Sequence, residues 1–164
     1  MMGSYHSVDA FTRTADTNAY TALDVVGSAT AAGGAVRKLM AVGPVLGGEA
    51  RIKSVSLEID IAAVPSGMTS FRAYLYSATP ASNLGDNAAW DIASNDRPAF
   101  LGYVDLGTPV DLGSTLYVKT DEVNMQITVP AGGNLFYYLV TNGGYTPGSA
   151  DKFTVKFHAV DAIT

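Results

Sequence analysis

The chain has no cysteine among its 164 residues. That excludes a disulfide framework, a thiolate metal site and a thiol nucleophile. Histidine is almost as scarce, with only His6 and His158, and Trp90 is the single tryptophan. Lysine and arginine number 10 against 15 acidic residues, a formal charge of −5, and no basic run occurs of the kind that nucleic-acid phosphates recruit. DNA and RNA are therefore not expected partners. No apolar run approaches the length of a membrane span, and the first ten residues lack both the basic and the apolar stretch of a secretory leader. A soluble compartment without a membrane partner is the expectation, and the lack of an Asn-X-Ser/Thr sequon removes one sign of eukaryotic secretion.

Catalytic signatures are missing as well. No serine lies in a Gly-X-Ser-X-Gly elbow, and the four Gly-Gly pairs lack the Lys-Ser or Lys-Thr that a phosphate loop needs. A two-histidine metal site would require the N-terminal segment to fold back over the strand that carries His158, so ordinary surface histidine is the simpler reading. Asp86, Asn87, Asp91, Asn95 and Asp96 cluster in one loop, but their spacing is not that of a calcium loop, and such residues also cap turns. No enzyme and no cofactor is expected.

What is present is period-two alternation from residue 50 onward. Val55, Leu57, Ile59 and Ile61 alternate with Ser54, Ser56, Glu58 and Asp60. Ile52 falls on the other parity, which predicts a bulge near Lys53. Met125, Ile127 and Val129 alternate again, and residues 130–134, Pro-Ala-Gly-Gly-Asn, predict a five-residue hairpin loop into residues 135–140. That second run is apolar or aromatic on both parities and predicts a central strand covered on both faces. Phe153, Val155, Phe157 and Ala159 mark the closing strand. Strands punctuated by glycine and proline predict an all-β fold, a β-sandwich of the jelly-roll or a related Greek-key type. Residues 21–164 form its single domain in this reading, with residues 1–20 an extended N-terminal arm whose deletion leaves the sandwich folded.

Residues 71–106 form an unusual stretch. A strand at 71–77 leads into a long Asn/Asp-rich excursion around Trp90 before a second strand at 100–104. Loops of this length in compact domains usually serve binding or assembly. A short helix over 89–94 fits inside it. Tyr74 and Tyr76 sit on the opposite parity from Phe71, Ala73 and Leu75, which predicts that they project from the outer face. With Trp90 they suit either a protein interface or a sugar platform.

The segment Phe11-Thr-Arg-Thr-Ala-Asp-Thr-Asn-Ala-Tyr-Thr-Ala-Leu-Asp-Val-Val26 resembles the opening segment of a group of tailed-phage structural proteins. These run Phe-Thr-Arg-Pro-Ala-Asp-Thr-Thr-Ala-Tyr, and Thr14 stands where that pattern has proline. The excursion with Asp86-Asn-Ala-Ala-Trp90, Asp96 and Leu101-Gly-Tyr103 is similar to a later block of the same group, as is the run from Leu139 to Pro147. The resemblance implies a virion component, a capsid decoration or cement protein with a jelly-roll body. It would bind the major capsid protein of the same phage on the outer capsid surface, as a homotrimer. Within the matching blocks Arg13, Asp16, Tyr20, Asp24, Asp86, Trp90 and Asp96 agree with the pattern. Arg13, Tyr20, Tyr74, Tyr76, Asp86, Trp90 and Asp96 are the expected interface residues, with simple salt-bridge and turn-cap roles for Asp16 and Asp24. The alternative is a tail-associated or host-recognition carbohydrate-binding module, carried by the tyrosines and Trp90.

Overall fold

A computed structural model describes residues 3–162. Among the described residues eleven strands build two antiparallel sheets: β1 (Ser4–Thr12), β2 (Val25–Val26), β3 (Arg37–Leu39), β4 (Gly48–Ile59), β5 (Phe71–Tyr76), β6 (Phe100–Gly107), β7 (Val110–Asp111), β8 (Leu116–Thr120), β9 (Met125–Val129), β10 (Leu135–Thr141) and β11 (Lys152–Asp161). One sheet runs β1-β11-β4-β8-β7, with β9 also beside β4, and the other runs β2-β10-β5-β6, with β3 also beside β10. β2 and β3 occupy one interrupted strand position, and β8 and β9 another, because each pair borders successive parts of a single neighbour. Eight positions then remain apart from the short β7. The first, eighth, third and sixth share one sheet, and the second, seventh, fourth and fifth share the other. This is the strand order of a jelly roll, whose two Greek keys bring chain-distant strands side by side.

Alternation decides which side chains fill the space between the sheets. Val55, Leu57 and Ile59 of β4 and Phe153, Val155 and Phe157 of the neighbouring β11 face Leu75, Tyr137 and Leu139 of the other sheet, all buried. The expected bulge is present. Ser54 faces His158 while Ile52 faces Ala159, so Lys53 is the extra residue that moves Ile52 and Ala50 onto the core side. β10 is central, flanked by β5 on one edge and by β2 and β3 on the other, and both its faces are covered, one by the opposite sheet and one by the excursion, which accounts for its apolar character on both parities.

Three local expectations are corrected. First, residues 4–12 are a strand and not part of an arm: β1 pairs with β11 from Ser4↔Val160 to Thr12↔Lys152. Its inward parity carries Tyr5, Ser7, Asp9 and Phe11, and the polar members hide the period. Asp9 is accommodated because Arg37 donates to both its carboxylate oxygens at 2.8 and 2.7 Å and the Tyr137 hydroxyl donates at 2.8 Å. Second, residues 130–134 do not close a hairpin. β9 and β10 lie in different sheets, and the loop steps across the core, a gap of roughly 10 Å between packed sheets. Gly132 and Gly133 make that step with φ of 101° and 71°, values that side-chain-bearing residues rarely adopt. Third, residues 89–94 are not helical. The excursion has one 3-10 turn, Arg97–Ala99, and Ala89 instead forms a β-bridge with Asp24.

Deleting residues 1–12 is therefore expected to destabilise the sandwich. The deletion takes buried Phe11 from its stacking partner Phe153, 5.4 Å away between ring centroids, and strips one edge of β11. A loss of about 3–5 kcal/mol, as for truncating a core phenylalanine, is the minimum expected. Urea unfolding of both forms measures it, and an unchanged midpoint contradicts the strand assignment.

Candidate interaction surfaces and the latch beneath them

Most of the residues that the sequence singles out converge inside the protomer. Arg13 follows β1 directly, and its backbone N–H donates to Asp151 O at 2.8 Å, so the side chain enters at the end of the sandwich. There the guanidinium is wholly buried. Its Nε donates to the Tyr20 hydroxyl at 2.6 Å, and Nη2 lies 2.8 Å from Asp16 Oδ1 and 3.3 Å from Asp86 Oδ2. The Tyr20 hydroxyl donates to Asp86 Oδ1 at 2.6 Å, and the backbone N–H of Gly27 donates to the same oxygen at 2.8 Å. One carboxylate thus joins the segment after β1, the segment after β2 and the long excursion.

The electrostatics match this geometry. Burial raises the Tyr20 phenol far above its ordinary value, reinforced by the hydrogen bond to Asp86, so it remains a donor at all ordinary pH. Burial opposes the charge on Arg13, but hydrogen bonds to Asp16 and Tyr20 more than offset it and hold the guanidinium protonated. Arg13 in turn lowers the Asp16 carboxyl, helped by the backbone N–H of Asn18. Asp24 closes the neighbouring turn by accepting from the Thr21 backbone N–H and hydroxyl. Asp16 and Asp24 therefore have the salt-bridge and turn-cap contacts expected for them.

The excursion itself lies over the outer face of the sheet that contains β5 and β10. Val25 N–H donates to Ala88 O at 2.8 Å, Asn87 N–H to Val25 O at 2.9 Å and Trp90 N–H to Leu23 O at 2.8 Å, so residues 87–90 run alongside 23–25 almost as a strand pair. Trp90 stacks on Tyr74 with ring centroids 3.9 Å apart. Tyr76 packs against Tyr138 and Phe100 at 5.7 and 5.5 Å, and the Tyr138 hydroxyl accepts from Leu84 N–H at 3.0 Å. Asp96 is buried and accepts from Ser82 N–H at 3.0 Å. Burial pushes the Tyr76 phenol up to about 12, with Trp90 acting in the opposite direction. Tyr74, Tyr76, Tyr138, Val25 and Val140 thus form a second small core under the loop.

This arrangement changes the reading of the expected interface residues. Tyr74 and Tyr76 do project from the outer face, but the protein's own loop covers them. Arg13, Tyr20, Asp86 and Asp96 are buried too, and Trp90 is half-buried. Of these seven only Trp90 keeps part of its surface exposed, and the outer tyrosines Tyr74 and Tyr76 are already packed against Trp90 and against Tyr138 and Phe100. Among the described residues no three His, Cys, Asp or Glu side chains gather as a metal group.

No protein-family model matches the chain, and no curated protein does. Solved structures with a similar fold include the capsid of Ralstonia phage GP4, 10% identical over 96% of this chain and 84% of that one, with a TM-score of 0.44. The cyanophage Pam1 capsid asymmetric unit is 14% identical over 99% and 85% of the two chains, with a TM-score of 0.36. The capsid of Helicobacter pylori bacteriophage KHP30 is 12% identical over 98% and 93%, with a TM-score of 0.32. At such identities the likeness concerns fold alone.

Several of the apolar residues exposed on the surface are ones that the strand pattern does not single out. Leu46 is 93% exposed and Val45 71%, both at the tip of the loop between β3 and β4, with Met40 exposed at its base. The only signal for them is a Val-Leu pair between Pro44 and Gly47 in a stretch otherwise made of turn residues. Val110 and Leu112 form a second exposed apolar pair on the β7–β8 hairpin.

Removing one partner of a buried ion pair strands the other, at a cost of about 3–5 kcal/mol. Arg13→Met and Asp86→Asn are each expected to lose stability on that scale. The double variant should lose clearly less than the sum, because the two act in one network. Chemical denaturation of the four proteins measures the coupling, and single-variant losses within about 0.5 kcal/mol, the range of plain surface changes, contradict the latch.

Proposed function

We propose that the chain is a non-enzymatic virion structural protein, a decoration or cement protein. In this reading it sits on the outside of a tailed-phage head as a homotrimer and strengthens contacts between major capsid subunits. The observation that carries the reading is the convergence of the matching blocks. Arg13, Asp16 and Tyr20 belong to the opening segment that resembles the tailed-phage group, and Asp86 and Trp90 belong to the later block. The two blocks meet across 66 positions of chain in the Tyr20–Asp86 hydrogen bond, where Arg13, Asp16, Tyr20 and Asp86 build one latch that carries Trp90 onto Tyr74. A shared pattern that resolves into one buried contact set supports a shared way of holding an ordered loop on a jelly roll.

An ordered loop and sheet surface suits assembly, because little entropy is lost when a rigid surface docks. Three linked copies would turn weak single contacts into firm attachment through effective concentration. The exposed Val45–Leu46 tip, and not the buried tyrosines, is the contact proposed for the capsid partner, since apolar side chains at the centre of an interface carry much of its energy. Trp90 already occupies the face of Tyr74, which leaves the glycan-binding alternative only the outer side of Trp90 as a stacking surface.

Co-sedimentation with capsids of the same phage, stripped of this protein, tests the proposal. Binding should saturate at a fixed ratio to lattice sites, and Leu46→Asp should weaken it by at least about tenfold, the loss of one modest hot spot. Sedimentation equilibrium should give a trimer. Absence of binding to shells overturns the capsid role.

A further inference from the structure

The outer face of the other sheet carries a furrow with a different chemistry. Its floor is the outward side of β4, where Ser54 and Ser56 stand in place of larger residues. In register across the sheet, Ser56 has Lys156 of β11 on one side and Lys119 of β8 on the other. One step along, Ser54 faces His158, and His158 faces His6 of β1. The two imidazoles stack with centroids 4.4 Å apart and planes 3° from parallel, and Ser4 Oγ lies 3.4 and 3.2 Å from their Nε2 atoms. Ser56 is only 7% exposed, lines this furrow and makes no side-chain hydrogen bond among the described residues. The open volume is about 260 Å³.

We propose that this furrow binds the carboxylates of an acidic protein segment. Adjacent strands lie about 4.8 Å apart, so the lysines flanking Ser56 are rooted roughly 10 Å apart and can both reach one carboxylate between them, with a serine hydroxyl donating from below. The groups facing the site are His6 from β1, Lys156 and His158 from β11, Lys53 and Glu58 from β4, and Lys119 from β8 with Asp121 just beyond it. Cations outnumber anions on this patch of a chain whose net charge is −5. Lys156 meets Glu58 and Lys119 meets Asp121, each at 2.8 Å. Both pairs are largely exposed, where an ion pair contributes little, so an incoming carboxylate displaces them at small cost. The lysines already take carboxylate partners in this geometry, and no arginine fork or ring of backbone N–H groups marks the furrow for phosphate.

Protonation of His158 couples to this site. In the free protein burial lowers its imidazole, with His6, Lys119 and Lys53 adding to the effect, so it is neutral at neutral pH. A bound carboxylate favours the imidazolium, and affinity should therefore rise as pH falls from neutrality toward the lowered value of the free imidazole.

The test is calorimetric titration of the full chain with acetyl-tetraglutamate amide at low ionic strength. The dissociation constant should fall about tenfold from about pH 8 to about pH 5.5, equivalent to a one-unit shift of one histidine. Lys119→Gln with Lys156→Gln should weaken binding at least about tenfold, and Ser56→Leu, which fills the floor on the solvent side of the sheet, should abolish it. No binding at either pH, binding that ignores both variants, or inorganic phosphate binding as tightly as the peptide would each overturn the proposal. Because no shells are present, the outcome is independent of the proposed capsid role.

Discussion

The Asp86 carboxylate is the constraint on which the surface of this jelly roll depends. It receives the Tyr20 hydroxyl and the Gly27 backbone on one oxygen and the Arg13 guanidinium near the other. An ionised carboxylate in the interior is tolerable only with such partners, since desolvation otherwise costs several kcal/mol. Its position is therefore over-determined, and with it the path of the chain on either side. Residues 87–90 are delivered onto 23–25, and Trp90 arrives over Tyr74.

The excursion is consequently not a loop awaiting a partner to order it. It buries Leu84, Trp90 and the outer tyrosines against each other, so it offsets its ordering entropy within the protomer. The sandwich has two cores, a large one between the sheets and a thin one between the second sheet and its covering loop. What remains outside is the Val45–Leu46 tip, the β7–β8 hairpin and the serine-floored furrow on the opposite sheet. The outer side of the second sheet is thus a preformed surface, made by the loop and not by the sheet.

The period-two runs made the body of the fold legible, down to the bulge at Lys53, because there each strand had one apolar and one wet face. β1 was illegible for a local reason. Asp9 and Ser7 point inward, and only Arg37 and Tyr137, distant in sequence, make Asp9 tolerable there. Residues 130–134 have the composition of a hairpin turn, yet the same glycines allow a step between sheets, and nothing local distinguishes the two. Parity placed Tyr74 and Tyr76 on the outer face, as the structure has them, but could not reveal that the chain returns to cover them. The latch residues were visible as a pattern and invisible as contacts, because Arg13 and Asp86 meet only once the jelly roll has formed. Charge and aromatic character therefore pointed to residues that the structure places largely inside the protomer.

Amide hydrogen exchange of the intact protein tests the central claim most directly. The amides of Val25, Gly27, Leu84, Asn87 and Trp90 all donate within the latch or beneath the loop. They should exchange as slowly as those of β5 and β10, opening only with the whole domain. Exchange at the rate of a free surface loop, with β5 and β10 still protected, would show that the excursion is not held by the protomer and that its order has to come from a partner.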